Sequence, residues 1–312
     1  GAGIYAVSAA CEFRNCLVTS NIATFGGGGV YLSRSSVKFL RCNFSFNQAI
    51  DRGGGVHHRS DSASTFEDCT FHNNVTTGPG GALLDISSSN ANIYRCTFTD
   101  NSAERGGAIQ ITYSSPVITD CRFISNSAAD GGAVRTLSSA SEPVSAPTFT
   151  RCTFEENHSK DCAGAALNDQ YSEATYHSCF FRSNSSRNGG AIFNSGFNSF
   201  PLFVNCIIQG NYANSWGGGV SNAGLSPTPA FINCSFQGNN SPRGGAIRNV
   251  NSPMLLHNCV IWNNAEDGVR NIRNASVLVA VANGSEETPT FFNCLVENYA
   301  SIELNSSGSG GS

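Results

Sequence analysis

One sequence motif recurs along this chain at a nearly constant spacing. Residues 96–109 read CTFTDNSAERGGAI, and residues 121–134 read CRFISNSAADGGAV. In both stretches a phenylalanine follows the cysteine by two residues, an asparagine follows it by five, and a Gly-Gly pair comes later. A repeat of this length predicts a solenoid, in which each repeat forms one coil and packs against the coils before and after it.

Eleven of the thirteen cysteines mark the repeat. Most of them are 25 to 28 residues apart, and two intervals are longer, at 31 and 35 residues. We number the predicted coils 1 to 11 by these cysteines and expect them to form a column inside the solenoid. They are Cys16, Cys42, Cys69, Cys96, Cys121, Cys152, Cys179, Cys206, Cys234, Cys259 and Cys294.

An asparagine follows the cysteine by five residues in every coil except the last, where Tyr299 replaces it. Asparagine suits a corner because it tolerates a left-handed backbone and hydrogen-bonds to its own loop. The pattern therefore predicts an asparagine column at one corner of the solenoid, bonded from coil to coil. Its members are Asn21, Asn47, Asn74, Asn101, Asn126, Asn157, Asn184, Asn211, Asn239 and Asn264.

Residue parity gives the number of strands in each coil. The cysteine and the apolar residue two positions later share one face of a strand, but the large apolar residue three positions earlier has the opposite parity. A corner is therefore expected at the two residues before the cysteine, and the Gly-Gly pair predicts tight backbone where a third strand begins. Three short strands per coil predict an all-β, right-handed parallel β-helix of about eleven coils, with the handedness taken from the crossover rule. We expect one domain over residues 1–304 and a flexible Gly/Ser tail over residues 305–312.

The repeat also resembles a known family. Phe98 to Asn101, followed by the run from Gly106 to Ile109, pairs an FxxN motif with a GGA[ILV] motif. This pairing resembles the repeats of chlamydial polymorphic outer membrane proteins, and the similarity covers nearly the whole chain. The resemblance implies a β-helix that acts as a surface adhesin, although similar repeats also occur in secreted and surface β-helix proteins of other origin.

The oxidation state of the cysteine column is open at this stage. Stacked coils place equivalent Cα atoms about 4.8 Å apart with the side chains parallel, whereas the Cβ atoms of a disulfide are about 3.8 Å apart. This geometry favours a ladder of reduced, buried thiols, with disulfides between some neighbours as the alternative. Cys11 and Cys162 lie outside the ladder and are not expected to pair with each other. The sequence contains no CxxC motif and no His/Cys cluster, so we expect no metal site and no cofactor.

Charged residues recur in the loop before the glycines. We interpret them as a structural edge of alternating ion pairs, each of which contributes little to stability. The alternative is a set of catalytic carboxylates that act on glycans. These residues are Asp51, Arg52, Glu104, Arg105, Asp130, Lys160, Asp161, Arg187 and Arg243. Four histidines are expected to be surface residues in turns, and they are His57, His58, His177 and His257.

Two coils carry insertions at the same corner, over residues 136–148 and 270–290, and these are either tolerated or used for binding. Asn-X-Ser/Thr sequons are acceptors for N-glycosylation if the protein passes through a eukaryotic secretory pathway. They begin at Asn43, Asn74, Asn157, Asn184, Asn233, Asn239, Asn274, Asn283 and Asn305.

Composition narrows the function classes. Only 13% of residues are charged and the formal net charge is −4, so nucleic acid is not an expected partner. No apolar run reaches the roughly 20 residues of a membrane span. Because residues 1–4 (GAGI) match the GGA[ILV] segment, we expect the chain to begin in mid-coil, with other copies or flanking segments of the same protein as partners.

We therefore expect a non-enzymatic structural and adhesive module, extracellular or at a cell surface, within a longer protein or a filament. A host-cell receptor or a glycan would be its ligand. The alternative is a secreted glycan-binding or polysaccharide-degrading protein of pectate-lyase-like shape.

Overall fold

In a computed structural model, the chain winds through parallel strands that stack coil on coil. The structure describes residues 3–224, 227–250, 252–265, 277–280 and 290–296. Within these residues all elements are strands, and they form three sheets of eleven strands and a fourth sheet of eight. Neighbouring coils pair in parallel and in register, so that Phe98 lies beside Phe71 and Phe123. The predicted all-β parallel β-helix is confirmed.

Sheets 1 and 2 come first in each coil. The strands of sheet 1, which follows the glycines, are Ile4–Val7, Val30–Ser33, Val56–Arg59, Leu83–Ile86, Ile109–Thr112, Val134–Leu137, Ala166–Asn168, Ile192–Asn194, Val220–Asn222, Ile247–Val250 and Val277–Ala280. The strands of sheet 2, which ends just before the cysteine, are Glu12–Arg14, Lys38–Leu40, Thr65–Glu67, Asn92–Tyr94, Val117–Thr119, Thr148–Thr150, Thr175–His177, Leu202–Val204, Ala230–Ile232, Leu255–His257 and Thr290–Phe292.

Sheets 3 and 4 complete the coil. The strands of sheet 3, which begins just after the cysteine, are Leu17–Thr19, Asn43–Ser45, Thr70–His72, Thr97–Thr99, Arg122–Ile124, Thr153–Glu155, Phe180–Arg182, Ile207–Gln209, Ser235–Gln237, Val260–Trp262 and Leu295–Val296. The strands of sheet 4, which follows the asparagine, are Ile22–Ala23, Gln48–Ala49, Val75–Thr76, Ser102–Arg105, Ser127–Asp130, His158–Cys162, Ser185–Asn188 and Tyr212–Trp216.

Sheet 4 corrects the prediction of three strands per coil. Its first strands, such as Ile22–Ala23, contain only two residues, which is too short for an alternating pattern to show in the sequence. The corner before the cysteine is also tighter than predicted. Only the residue directly before the cysteine turns, as at Arg95 with φ 51° and Asp120 with φ 56°, while the residue before it still belongs to sheet 2.

The corner between sheets 3 and 4 lies where the asparagines predicted it, but a different residue makes the turn. The residue before each asparagine has the left-handed backbone, for example Asp100 with φ 56° and Ser125 with φ 53°. The asparagine itself points inward, and Asn101 and Asn126 are fully buried. The expectation that asparagine supplies the left-handed backbone was therefore wrong, because its side chain is needed inside the coil.

The asparagines form a continuous column of hydrogen bonds. Asn101 Nδ2 donates to Asn126 Oδ1 in the next coil (2.9 Å) and to the carbonyl oxygen of Phe71 in the preceding coil (3.0 Å). The backbone N–H of Asn101 also donates to Asn126 Oδ1 (3.1 Å). Each asparagine of the column thus satisfies the amides of its neighbours, which a buried amide requires.

Glycines fix the turn into sheet 1. Gly106 has φ 60°, a backbone that glycine adopts without strain, and a Cβ on Gly107 would lie 2.1 Å from the carbonyl oxygen of Gly132 in the next coil. The Gly-Gly pair therefore marks tight backbone, as predicted.

The interior is filled by aromatic columns. The rings of Phe71, Phe98 and Phe123 stack with centroids 4.6 and 4.9 Å apart, and Phe149 stacks on Tyr176 at 4.8 Å. Such ring pairs each add roughly 0.5–1.5 kcal/mol beyond the burial of apolar area. The same residue types recur because each coil meets the same neighbours above and below.

Substituting Asn126→Ala tests the asparagine column. The change leaves both donors of Asn101 without their acceptor, and each buried unsatisfied group costs about 1–3 kcal/mol, so we expect the free energy of unfolding to fall by about 3 kcal/mol or more. Urea denaturation measures this, with the exposed Asn43→Ala as the control, which we expect to change stability by less than about 0.5 kcal/mol. Equal losses in the two variants would contradict the role of the column.

Candidate functional site

The structure places the cysteine column inside the solenoid. Nine ladder cysteines are buried, Cys16 and Cys294 are half-buried, and all thirteen carry free thiols. Cys96 Sγ lies 3.3 Å from the carbonyl oxygen of Tyr94 and accepts a hydrogen bond from the N–H of Cys69 at 3.4 Å. Burial raises the pKa of the Cys96 and Cys179 thiols, which makes them poor nucleophiles. Because the nine buried thiols are shielded from solvent and contact backbone carbonyl oxygens, the column acts as packing.

Two of the four histidines are not surface residues, so that prediction was wrong for them. His57 and His58 are 1% and 0% exposed. His58 Nδ1 lies 2.7 Å from Asp85 Oδ1, and the N–H of Ser64 donates to His58 Nε2 at 3.3 Å. Burial also raises the pKa of Asp85. Since neither side chain of this pair reaches solvent, the pair belongs to the core.

His57 points outward from sheet 1 but is covered. A Cβ on Gly26 would lie 2.6 Å from His57 Nδ1, and the ring of Tyr31 meets His57 edge-on at 5.2 Å. The loop before the glycines folds over this face, which strand parity alone does not reveal. His177 and His257 are half-buried at the ends of sheet 2 strands.

The sequence reasoning missed two further polar columns. The inward position of sheet 1 holds Asn168, Asn194, Asn222 and Asn249, whose amides bond from coil to coil at 2.7 to 2.9 Å. Asn168 also accepts a hydrogen bond from the buried Tyr176 hydroxyl at 3.0 Å. The signal was an asparagine five residues after the first residue of the Gly-Gly pair in coils 8 to 10, and of the equivalent Ala163-Gly164 in coil 7. A serine seven residues before the cysteine marks the second column, where the N–H of Ser35 donates to Ser62 Oγ at 3.1 Å.

The sequons divide into two classes. Asn74, Asn157, Asn184 and Asn239 belong to the buried column, and their Nδ2 atoms are engaged there, so a glycan cannot be attached to the folded coil at these positions. Asn43 and Asn233 are exposed. The sequons at residues 274, 283 and 305 lie outside the described residues, as do residues 305–312 of the predicted tail.

The predicted edge of ion pairs between coils is not found where it was expected. In the loop before the glycines, Asp51 pairs with Arg52 at 2.7 Å and Glu104 with Arg105 at 3.4 Å, each within one coil. Lys160, Arg187 and Arg243 are exposed, and Asp161 is half-buried. Coil-to-coil pairs lie instead at the corner before the cysteine. Two examples are Arg95 with Asp68 and Arg151 with Asp120, both at 2.7 Å.

The repeat is interrupted most strongly where the end of sheet 4 meets the outer face of sheet 1. We call this line the seam and define it by Asp130, Cys162, Asn188 and Trp216 on sheet 4, and by Arg135, Phe193, Ser221 and Arg248 on sheet 1. The pairing register shifts at Asp130, Cys162 and Asn188 in successive coils. Such bulges aim side chains away from the regular ladder and are common beside functional sites.

Arg135 is the centre of the seam. Its Nη2 atom donates to Asp169 Oδ2 at 2.7 Å, and both side chains are only about one-sixth exposed. Its Nε atom is buried without a hydrogen-bond partner. Asp130 is half-buried close to Arg135, and burial raises the pKa of its carboxyl group although the Arg135 charge opposes the shift. Burial likewise raises the pKa of Cys162 to about 11.

Other polar atoms of the seam and of the outer face beside it also lack partners. They are Gln110 Oε1, Asn188 Oδ1, Ser221 Oγ and both ring nitrogens of His57. Farther along, the Arg248 guanidinium lies 4.2 Å from the ring centre of Trp216. The atoms without partners are buried, whereas the side chains of Arg135, Asn188 and Trp216 are partly exposed. Polar groups beside aromatic surface suit a hydroxyl-rich ligand, because each hydroxyl both donates and accepts hydrogen bonds.

The described insertion flanks the seam. Residues 136–148 follow Arg135 directly, and Asp169 begins the equivalent corner of the next coil, where its N–H donates to the carbonyl oxygen of Thr136 at 2.9 Å. The insertion over residues 270–290 lies outside the described residues, apart from the strand Val277–Ala280 and Thr290. The described part of the chain contains no group of histidine, cysteine and acidic residues arranged to hold a metal ion. No helix among the described residues has the length and apolar character to cross a membrane.

Comparison with known proteins agrees with this architecture. A family model described as a right-handed beta helix region matches residues 1–149. No curated protein and no solved structure matches the chain. The strand order and this match together identify an all-β, right-handed parallel β-helix repeat protein. The narrower resemblance to chlamydial outer membrane proteins stays a prediction.

Thiol titration tests the cysteine column. In the native protein we expect Cys11 to react fastest with an aromatic disulfide reagent, since it is the exposed cysteine, and the half-buried ones to react more slowly. The nine buried thiols should react only after unfolding, when the total reaches thirteen without a reductant. A smaller total in the unfolded protein would reveal disulfides and contradict the reduced ladder.

The pH dependence of stability tests the burial of His57. Burial lowers the pKa of His57 from 6.5 to about 3, so protonation favours the unfolded chain. Stability is therefore full above pH 6.5 and falls below it, by up to about 1.4 kcal/mol for each pH unit down to about pH 3. His57→Leu, which copies Leu84 at the same position of the next coil, should reduce this loss between pH 7 and 4.5 in urea titrations. The exposed His158→Leu serves as the control, and an unchanged pH slope in His57→Leu would contradict the account.

Proposed function

We propose that this chain is a non-enzymatic structural and adhesive module that works outside the cell or at a cell surface, as part of a longer protein or a filament. The observation that carries the proposal is the contrast between the repeated interior and the seam. Inside, polar side chains bond from coil to coil and leave a rigid rod of about 50 Å for eleven coils. Outside, the seam breaks the repeat, and polar atoms such as Arg135 Nε and Asn188 Oδ1 have no hydrogen-bond partner there.

The seam supplies the binding function. Arg135 and Asn188 are partly exposed and are held on strands rather than on loops, and Arg135 Nε, Gln110 Oε1 and Asn188 Oδ1 are buried just beneath without hydrogen-bond partners. Sites on such rigid elements lose little freedom when a ligand binds. We propose a glycan or a glycosylated receptor as the ligand, because the hydroxyl groups of sugars match this mixture of groups and Phe193 and Trp216 offer aromatic surface.

The surface location rests on two supporting points. The FxxN and GGA[ILV] motifs resemble those of surface adhesins. The burial of nine thiols also protects them from oxidants, so the chain tolerates an oxidising medium without forming disulfides.

A second candidate function has one observation in its favour. Glycosidic-bond hydrolysis uses two carboxyl groups, one of them kept protonated by a raised pKa. Asp130 has such a raised pKa and lies near Asp161 and Asp169. Polysaccharide degradation at the seam is therefore the alternative.

An array of neutral and acidic oligosaccharides, probed with the full chain, tests both candidates. We expect binding that Arg135→Gln weakens about tenfold or more, which is the size of one charge-assisted hydrogen bond. Arg182→Gln, which removes an exposed ion-paired arginine outside the seam, should leave binding unchanged. Absence of binding to every glycan, or equal losses in both variants, would contradict glycan binding at the seam.

The same glycans separate adhesion from catalysis. Release of reducing ends from a bound polysaccharide, abolished by Asp130→Asn while binding remains, would establish the enzymatic alternative. Binding without release supports the adhesive module.

A further inference from the structure

The outer surface of sheets 2 and 3 changes character along the solenoid. In coils 1 to 7, the stretch from four residues before the cysteine to three residues after it contains at least one charged residue in every coil. In coils 8 to 10 this stretch covers residues 202–209, 230–237 and 255–262, and it contains no Asp, Glu, Lys or Arg. We call the outer side of these three ranges the uncharged face.

The uncharged face exposes several apolar side chains. Ile207, Val260 and Trp262 are 45%, 41% and 48% exposed, although strands of sheet 3 hold all three in regular register. Leu202 and Ile232 on sheet 2 are half-buried beside them. Ser235 lies between Ile207 and Val260, and Gln237 lies beside Trp262, so exposed apolar side chains alternate with uncharged polar ones. Exposed apolar residues rimmed by polar residues mark an interaction site.

Amide groups line the corner that divides this face. Asn233 Nδ2 donates to Asn205 Oδ1 at 3.2 Å, and Asn258 Nδ2 donates to Asn233 Oδ1 at 3.2 Å. These asparagines are exposed, and each amide has a second N–H and a second lone pair to offer. A surface that carries donors and acceptors in equal number is complementary to itself.

We propose that the uncharged face docks a second copy of this chain around a two-fold axis. A two-fold contact places each residue near its own counterpart, so any charge close to the axis would meet a like charge. The charged coils 1 to 7 carry that penalty and the uncharged face does not. Two copies also share the same rung spacing of about 4.8 Å, so the side chains of one fit between the rungs of the other.

The expected dimer is weak. Three coils form a smaller contact than the roughly 800 Å² per partner of a standard interface, so we expect a dissociation constant in the micromolar range or weaker. Copies held side by side on one surface or in one filament would still associate, because tethering raises their effective concentration. The contact would join neighbouring rods sideways.

Sedimentation velocity of the full chain, from nanomolar to high micromolar concentration, tests the proposal. We expect a concentration-dependent shift from monomer to dimer. Val260→Lys should abolish the shift, whereas Val117→Lys should preserve it, because these valines are equally exposed (41% and 40%) and only Val260 lies on the face. A monomer at every concentration, or equal effects of the two variants, would overturn the proposal and leave the face to another partner.

A charge-swap pair at the middle rung distinguishes docking from a folding defect. Asn233 has φ 53°, and the same column holds Arg95 with φ 51° and Asp120 with φ 56°, so Asn233→Arg and Asn233→Asp are both compatible with the coil. Each variant alone should dimerise less than the wild type. An equimolar mixture should recover a heterodimer, and a mixture that stays monomeric would contradict the two-fold contact.

Discussion

The buried side-chain amide is the interaction on which this fold depends. An asparagine at the corner between sheets 3 and 4 donates to the coil before it and to the coil after it, and its oxygen accepts the backbone N–H of its neighbour. A single amide in this environment would be costly, because a buried polar group without partners loses its hydration. A column of amides removes that cost for every interior member. The aromatic and cysteine columns fill the rest of the interior of the solenoid.

This constraint also explains where function can reside. A side chain that recurs at the same position in every coil serves its neighbours, so Cys96, Asn101 and Phe98 are occupied by the fold itself. Side chains that are available to bind a ligand or a partner must point outward or lie where the pairing register shifts. The seam around Arg135 satisfies both conditions. The uncharged face satisfies the first through a local change of outward residues that leaves the core unaltered.

The repeat made the fold and the inward columns readable from the sequence, because spacing fixes which residues stack. The repeat could not reveal which outward side chains of one coil are covered by a loop of a neighbouring coil. His57 looked like a surface residue, yet the loop before the glycines covers it. The bulges that set Asp130 beside Arg135 depend on one extra residue in sheet 4, a sheet whose shortest strands left no periodic signal. The column from Asn168 to Asn249 was readable in principle, since its members lie at a fixed distance after the Gly-Gly pair in three coils and after Ala163-Gly164 in the fourth.

Hydrogen exchange at the column asparagines tests the central claim most directly. The backbone N–H groups of Asn74, Asn101 and Asn126 bond to side-chain oxygens of the next coil rather than to backbone carbonyls. If the amide column holds the coils together, these N–H groups should exchange as slowly as those of the sheet 3 strands beside them. Rapid exchange at these asparagines within a protected sheet 3 would show that the column does not hold the coils together.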